Sequence, residues 1–155
     1  MTPSNPILKV TNLQVYYKLR GGFFSGEARR LRAVDGVSFD LFEGEILGLV
    51  GESGCGKSSL GKAILRLIKP MDGSIEIAGS DFMSLRGKAL RMARPQIQMV
   101  FQDPYASLDP RMTVYDLLAE PLVTHRSLTS QEISNRIKIE LERVGLSAKI
   151  GRAHV

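Results

Sequence analysis

The sequence predicts an α/β fold, and three features carry that prediction. Ile46–Val50 is a short unbroken apolar run, the pattern of a strand buried on both faces of a parallel sheet. It leads directly into a glycine-rich segment, Gly51-Glu52-Ser53-Gly54-Cys55-Gly56-Lys57-Ser58. After it, Leu60, Ile64, Leu65, Leu67 and Ile68 recur at helical spacing and predict a helix over about 57–68.

The flanking elements follow from the same periodicities. Ile7 to Tyr17 and Ala33 to Leu41 broadly alternate apolar and polar residues, which predicts two half-buried antiparallel strands. Lys18 to Arg32 between them holds Gly21, Gly22, Gly26 and three arginines, and reads as a long exposed loop or hairpin extension with solvated charges. Glu43-Gly44 makes a turn. Pro70-Met71-Asp72-Gly73 ends the helix, Ser74 to Ala78 reads as a strand, Leu85 to Met92 as a short basic helix, and Ile97 to Phe101 as a second apolar strand. Thr113 to Glu120 sets Val114, Leu117 and Leu118 on one helical face. Thr129 with Glu132 forms a capping-box signature, opening a helix through Ile133, Ile137, Leu141 and Val144 to a stop at Gly145.

Composition narrows the function classes. The chain has 155 residues, 21 Lys+Arg against 16 Asp+Glu, 43% apolar residues and one Cys. One cysteine excludes a disulfide framework and speaks against a Cys-rich metal site or secretion. No apolar run reaches the roughly 18 residues of a membrane span, and the start Met-Thr-Pro-Ser-Asn-Pro lacks the pattern of a signal peptide. The net charge of +5 is modest and the 6% aromatics are not interleaved with basic residues, which argues against nucleic acid and leaves room for a phosphate ligand.

Residues 51–58 match G-x-x-x-x-G-K-[ST], the phosphate-binding loop. Its glycines free consecutive N–H groups to point at phosphate oxygens, and the following helix turns its positive end towards the same anion. Lys57 is placed to add a charge on the β- and γ-phosphates, and the Ser58 hydroxyl is a ligand type that suits Mg²⁺. Cys55 has no histidine nearby in sequence and reads as a packed loop filler rather than a nucleophile. His125 and His154 stand at no metal-ligand spacing and read as surface residues.

With Phe101-Gln102-Asp103-Pro104 downstream, the chain resembles the nucleotide-binding domain of ATP-binding-cassette (ABC) transporters. The stretches Ala33–Phe39, Gly48–Ser58 and Gln102–Val114 look like the ATPase subunits of oligopeptide and dipeptide importers, and the 18–32 insertion with the loop cysteine looks like the F-type of their paired subunits. The resemblance covers residues 7–146. It implies a P-loop ATPase of ABC type with an antiparallel β subdomain and core strand (7–50), phosphate loop and RecA-like core (51–101), and Q-loop with the start of a helical subdomain (102–146). It further implies that Gly51, Glu52, Ser53, Gly54, Cys55, Gly56, Lys57, Ser58 and Ser59 bind nucleotide phosphates. Tyr17 then stacks on adenine, with Tyr16 as the competing assignment. Ser58 and Gln102 serve Mg²⁺, and Gln102 reaches the attacking water. ATP, a second cassette and transmembrane permease subunits are the implied partners, at the cytoplasmic face of the membrane.

The resemblance ends after Gly145-Leu146, where the family continues to a signature motif, a Walker B strand and a switch histidine. These residues alone are therefore expected to be a truncated cassette without ATP turnover. Residues 149–155 resemble the translation of a sequencing-library adapter and are expected to be non-native. A P-loop kinase or GTPase, or a fragment that only binds nucleotide, are the alternative readings.

Overall fold

The computed structural model describes residues 5–18, 30–103, 108–125 and 128–153. The chain divides into two compact units, Met1–Met99 and Val100–Val155.

The first unit is built on a four-stranded antiparallel sheet of order β2-β1-β3-β4, from β1 (Leu8–Lys18), β2 (Arg30–Leu41), β3 (Asp72–Ile77) and β4 (Ser80–Asp81). Its alternating pattern sends Val10, Leu13, Val15, Val34, Ile75 and Ile77 inward, where they pack with Phe82 and with Leu60 and Ala63 of α1 (Lys57–Ile64). The predicted strand at 33–41 thus extends back to Arg30, while the rest of the predicted loop, 19–29, lies outside the described residues. Register shifts in β1 around Asn12 let Gly73 pass underneath. With φ of 98° and the Leu13 Cα 2.6 Å from where a Cβ would sit, position 73 admits only glycine.

Helix α1 stops short of the predicted Ile68. The Leu67 amide donates to the Lys62 carbonyl and the Arg66 amide to the Ala63 carbonyl (both 2.9 Å), closing a Schellman turn with Arg66 in the left-handed region at φ 53°. The Arg66 guanidinium holds this turn by donating to the carbonyls of Phe82 and Leu85, both at 2.8 Å. A short helix, α2 (Gly87–Ala93), runs into a 3₁₀ turn at Arg94–Gln96.

Two predicted strands are absent. Residues 46–50 and 97–101 form no strand, and Ile46 (96% exposed), Val50 (91%) and Val100 (93%) are bare. An apolar run becomes a buried parallel strand only when neighbours pair its amides and cover its faces; the one sheet among the described residues includes neither run.

In the second unit, α3 (Val114–His125) and α4 (Ser130–Arg143) pack through Ile133, Ile137 and Leu141 against Val114, Tyr115, Ala119, Leu122 and Leu128. Helix α3 runs past the predicted Glu120 with Pro121 inside it. A 3₁₀ turn, Ala148–Arg152, lies on α3, and the Val114 amide donates to the Ala153 carbonyl at 3.0 Å. His125, expected at the surface, is only half exposed, and its Nδ1 is buried without a hydrogen-bond partner among the described residues. His154 lies outside them.

The capping box is formed. The Thr129 hydroxyl accepts from the Glu132 amide (3.3 Å), and the Glu132 carboxylate accepts from the Thr129 amide (2.7 Å). Those bonds hold the Glu132 carboxyl below its ordinary 4.5, the Thr129 backbone contributing most. A depressed carboxyl pKa stabilises the fold above the unfolded value and is lost as pH falls through the folded one. The gap in urea midpoint between the wild type and Glu132→Ala should therefore be present near neutrality and close as the pH drops below 4.5; a gap that persists in acid would show that the carboxylate does not cap α4.

Candidate functional site

The glycine-rich segment forms the entry to α1. Gly56 is the helix N-cap with φ of 100°, and a Cβ there would overlap the Ala33 carbonyl oxygen of β2. Lys57 is the first helical residue, and the Leu60 amide makes the first helical bond to the Gly56 carbonyl at 2.8 Å. The Lys57 ammonium folds back over the loop, donating to the carbonyls of Gly51 (2.7 Å) and Glu52 (2.6 Å) and lying 3.5 Å from the Cys55 Sγ. Cys55 itself is exposed rather than packed, because its loop lies on the open side of the unit. Its sulfur stands 2.6 Å from where a Gly51 Cβ would be, so a side chain at 51 would have to turn the Cys55 thiol aside.

Beside this loop is a cleft of about 320 Å³ lined by Tyr17, Leu31, Arg32, Ala33 and the backbone and side chains of residues 54–59. Tyr17 reaches the loop helix directly, its hydroxyl donating to the Ser59 Oγ at 3.1 Å. Tyr16 is engaged elsewhere. Its hydroxyl donates to Asp35 (2.7 Å) and lies 2.9 Å from the Gln14 Oε1, with the Arg32 guanidinium 5.5 Å above its ring. The Asp35 bond raises the Tyr16 hydroxyl above its ordinary pKa and, with Arg32 in support, holds the Asp35 carboxyl below its own.

The cleft fits an anion. Its lining has two cations, Lys57 and Arg32, the latter already paired with Asp35 at 3.3 Å, and no carboxylate, and it receives the N-terminal end of α1 with its free helical N–H groups. Ser58 is exposed at the second helical position. Gly51, Glu52, Ser53 and Gly54 complete the loop in the same unit. Gln102 belongs to the second unit, exposed in a bend. Ala33 and Arg32 were not foreseen as site residues. Both lie in β2, and their only signal in the sequence is their place at the start of the alternating stretch that continues through Leu41.

A family profile described as ABC transporter matches residues 34–154. The chain belongs to the ABC transporter family. Among curated ABC proteins it is 46% identical over 151 residues to the glutathione import ATP-binding protein GsiA of Pectobacterium atrosepticum, covering 97% of this chain and 24% of that one. It is 46% identical over 149 residues to the oligopeptide transport ATP-binding protein AppF of Bacillus subtilis, covering 94% and 45%. The chain thus spans from a quarter to under half the length of these relatives. Its fold matches the dimeric ATP-binding cassette MJ0796 in a post-hydrolysis state bound to ADP and Pi, with a TM-score of 0.76 and 26% identity over 95% of this chain and 61% of that one. The α/β cassette fold expected from the sequence is thereby established.

Gly56→Ala tests the loop geometry. The left-handed backbone alone costs about 1–3 kcal/mol for a residue with a Cβ, and the overlap with Ala33 adds to it. The variant should unfold at clearly lower urea; an unchanged midpoint would mean that Gly56 does not sit against Ala33.

Proposed function

We propose that this chain is the nucleotide-binding part of an ATP-binding subunit that powers import of short peptides. The reading rests on one arrangement above all, the Gly51–Ser58 loop closed by Lys57 at the start of α1 with Tyr17 leaning on Ser59 beside it. The names of the relatives, which concern oligopeptide and glutathione import, support the class of solute.

In this reading Lys57 exchanges two neutral carbonyl acceptors for the charged β- and γ-phosphate oxygens, so that both partners of the contact are ionised. The loop amides and the helix terminus take the remaining oxygens. The Tyr17 ring offers a stacking face for the base, and its bond to Ser59 sets how far that face lies from the phosphates. Ser59 also faces the cleft, where its hydroxyl reaches the α-phosphate. The Ser58 hydroxyl would hold Mg²⁺, which when bound neutralises phosphate charge. Gln102 would keep the role in metal and water binding that the resemblance implies.

The complete protein would pair with a second cassette and dock on transmembrane permease subunits at the cytoplasmic face. No helix among the described residues is long and apolar enough to cross a membrane, in keeping with a peripheral subunit. The unpaired runs 46–50 and 97–101, with Ile46, Val50 and Val100 exposed, fit the same picture, since further strands of the complete protein would pair and cover them.

Lys57→Ala removes a contact worth about 1.5–3 kcal/mol, so Mg-ATP affinity in a titration of the full chain should fall roughly ten- to a hundredfold. Equal affinity in wild type and variant would refute the phosphate assignment.

A further inference from the structure

A second concave site lies at the opposite end of α1 from the phosphate loop. It is a cleft of about 420 Å³ lined by Arg66, Leu67, Lys69, Pro70, Met83 and Arg86. Half of its lining is cationic and none of it is acidic. Two of the cations converge on a single atom. The Arg66 Nη1 and the Arg86 Nη1 both donate to the Leu85 carbonyl, at 2.8 and 2.7 Å. Each uses the same nitrogen for a second carbonyl, Phe82 for Arg66 and Met83 for Arg86. Burial, and then the like charges of Arg86 and Arg94, hold the Arg66 guanidinium below its ordinary pKa.

Among the described residues Asp81 offsets part of the Arg66 charge but forms an ion pair with none of these cations. Arg66, Lys69, Arg86 and Arg94 take part in none of the ion pairs there. Asp81, the carboxylate that acts on Arg66, turns its Oδ1 to the amides of Met83 (2.8 Å) and Ser84 (3.3 Å). Carbonyl oxygens thus pull two guanidiniums together and leave their mutual repulsion standing.

We infer that this cleft is an anion site for a phosphate group, carried by a lipid headgroup or free in solution. A guanidinium has five donors in a planar fork that matches phosphate oxygens. The carbonyls engage one nitrogen of each fork, so the others are available to an anion in the cleft. Lys69 adds an exposed charge to the lining, and Leu67, 48% exposed, supplies an apolar contact of the kind a headgroup boundary offers. This site is independent of the nucleotide reading and lies apart from the phosphate-loop cleft, with which it shares no lining residue.

The test uses the full chain in a Lys57→Ala background, which weakens the phosphate loop's own anion affinity, and the variants below are compared within that background. Flotation with phosphatidylcholine vesicles, with and without phosphatidylglycerol, probes the lipid source, and calorimetry with pyrophosphate probes the free one. Binding to either probe is expected. Lys69→Gln with Arg86→Gln should weaken it about twenty-fivefold, since each lost charge at an anionic surface accounts for about fivefold. Lys138→Gln on α4 should leave it unchanged. Binding to phosphatidylglycerol vesicles alone would assign the lipid source, and to pyrophosphate alone the free one. Should the double variant fail to fold, Lys69→Glu, a change at an exposed side chain, must by itself weaken binding severalfold. Absence of binding to both probes, or equal binding by the folded charge variants, would overturn the site and leave the nucleotide reading untouched.

Discussion

The close approach of Gly56 to the Ala33 carbonyl is the constraint on which the candidate site depends. It presses the start of α1 against β2, so the phosphate loop has a fixed position relative to the antiparallel sheet. Because β1 pairs with β2 along its whole length, with Tyr17 opposite Leu31, the same contact brings Tyr17 within hydrogen-bond reach of Ser59. One residue without a side chain thereby joins a stacking aromatic and a phosphate cradle into one cleft. The core beneath, Leu60 and Ala63 of α1 against Val34 and Val15 of the sheet, makes the arrangement rigid.

Electrostatics give the two ends of α1 different characters. At its start, Lys57 donates to the Gly51 carbonyl and to the Glu52 carbonyl, which also accepts from the Cys55 amide, and the Lys57 bonds are the ones an incoming phosphate replaces. At its end, Arg66 occupies a position glycine would usually take, and two carbonyl contacts outweigh the cost of its left-handed backbone. Both ends gather positive charge, by opposite means.

Local signals were legible in the sequence. The loop motif depends on residues within eight positions, and the α4 capping box on four; each formed where its pattern stood. The two hairpin strands were legible because one solvated face leaves a clean alternation. What depends on partners distant in sequence was not. The runs 46–50 and 97–101 have the composition of buried strands, yet composition alone cannot supply the neighbour that pairs them. The early end of α1 was hidden because its stop signal is an arginine, whose tolerance of a positive φ comes from carbonyls sixteen and nineteen residues away. His125 and Cys55 exchanged their expected burial for the same reason: packing around each is set by tertiary neighbours.

The central claim is that one cleft, between the end of β1 and the phosphate loop, receives a nucleoside triphosphate. Backbone and aromatic chemical shifts of the full chain, followed while Mg-ATP is added, test it residue by residue. The account predicts that the amides of Gly51 to Ser59 and the ring of Tyr17 move together with one affinity, while Tyr16 and the buried face of β3 stay still. Shifts that centre on Tyr16, or that spread over the sheet and leave the loop amides unmoved, would contradict it.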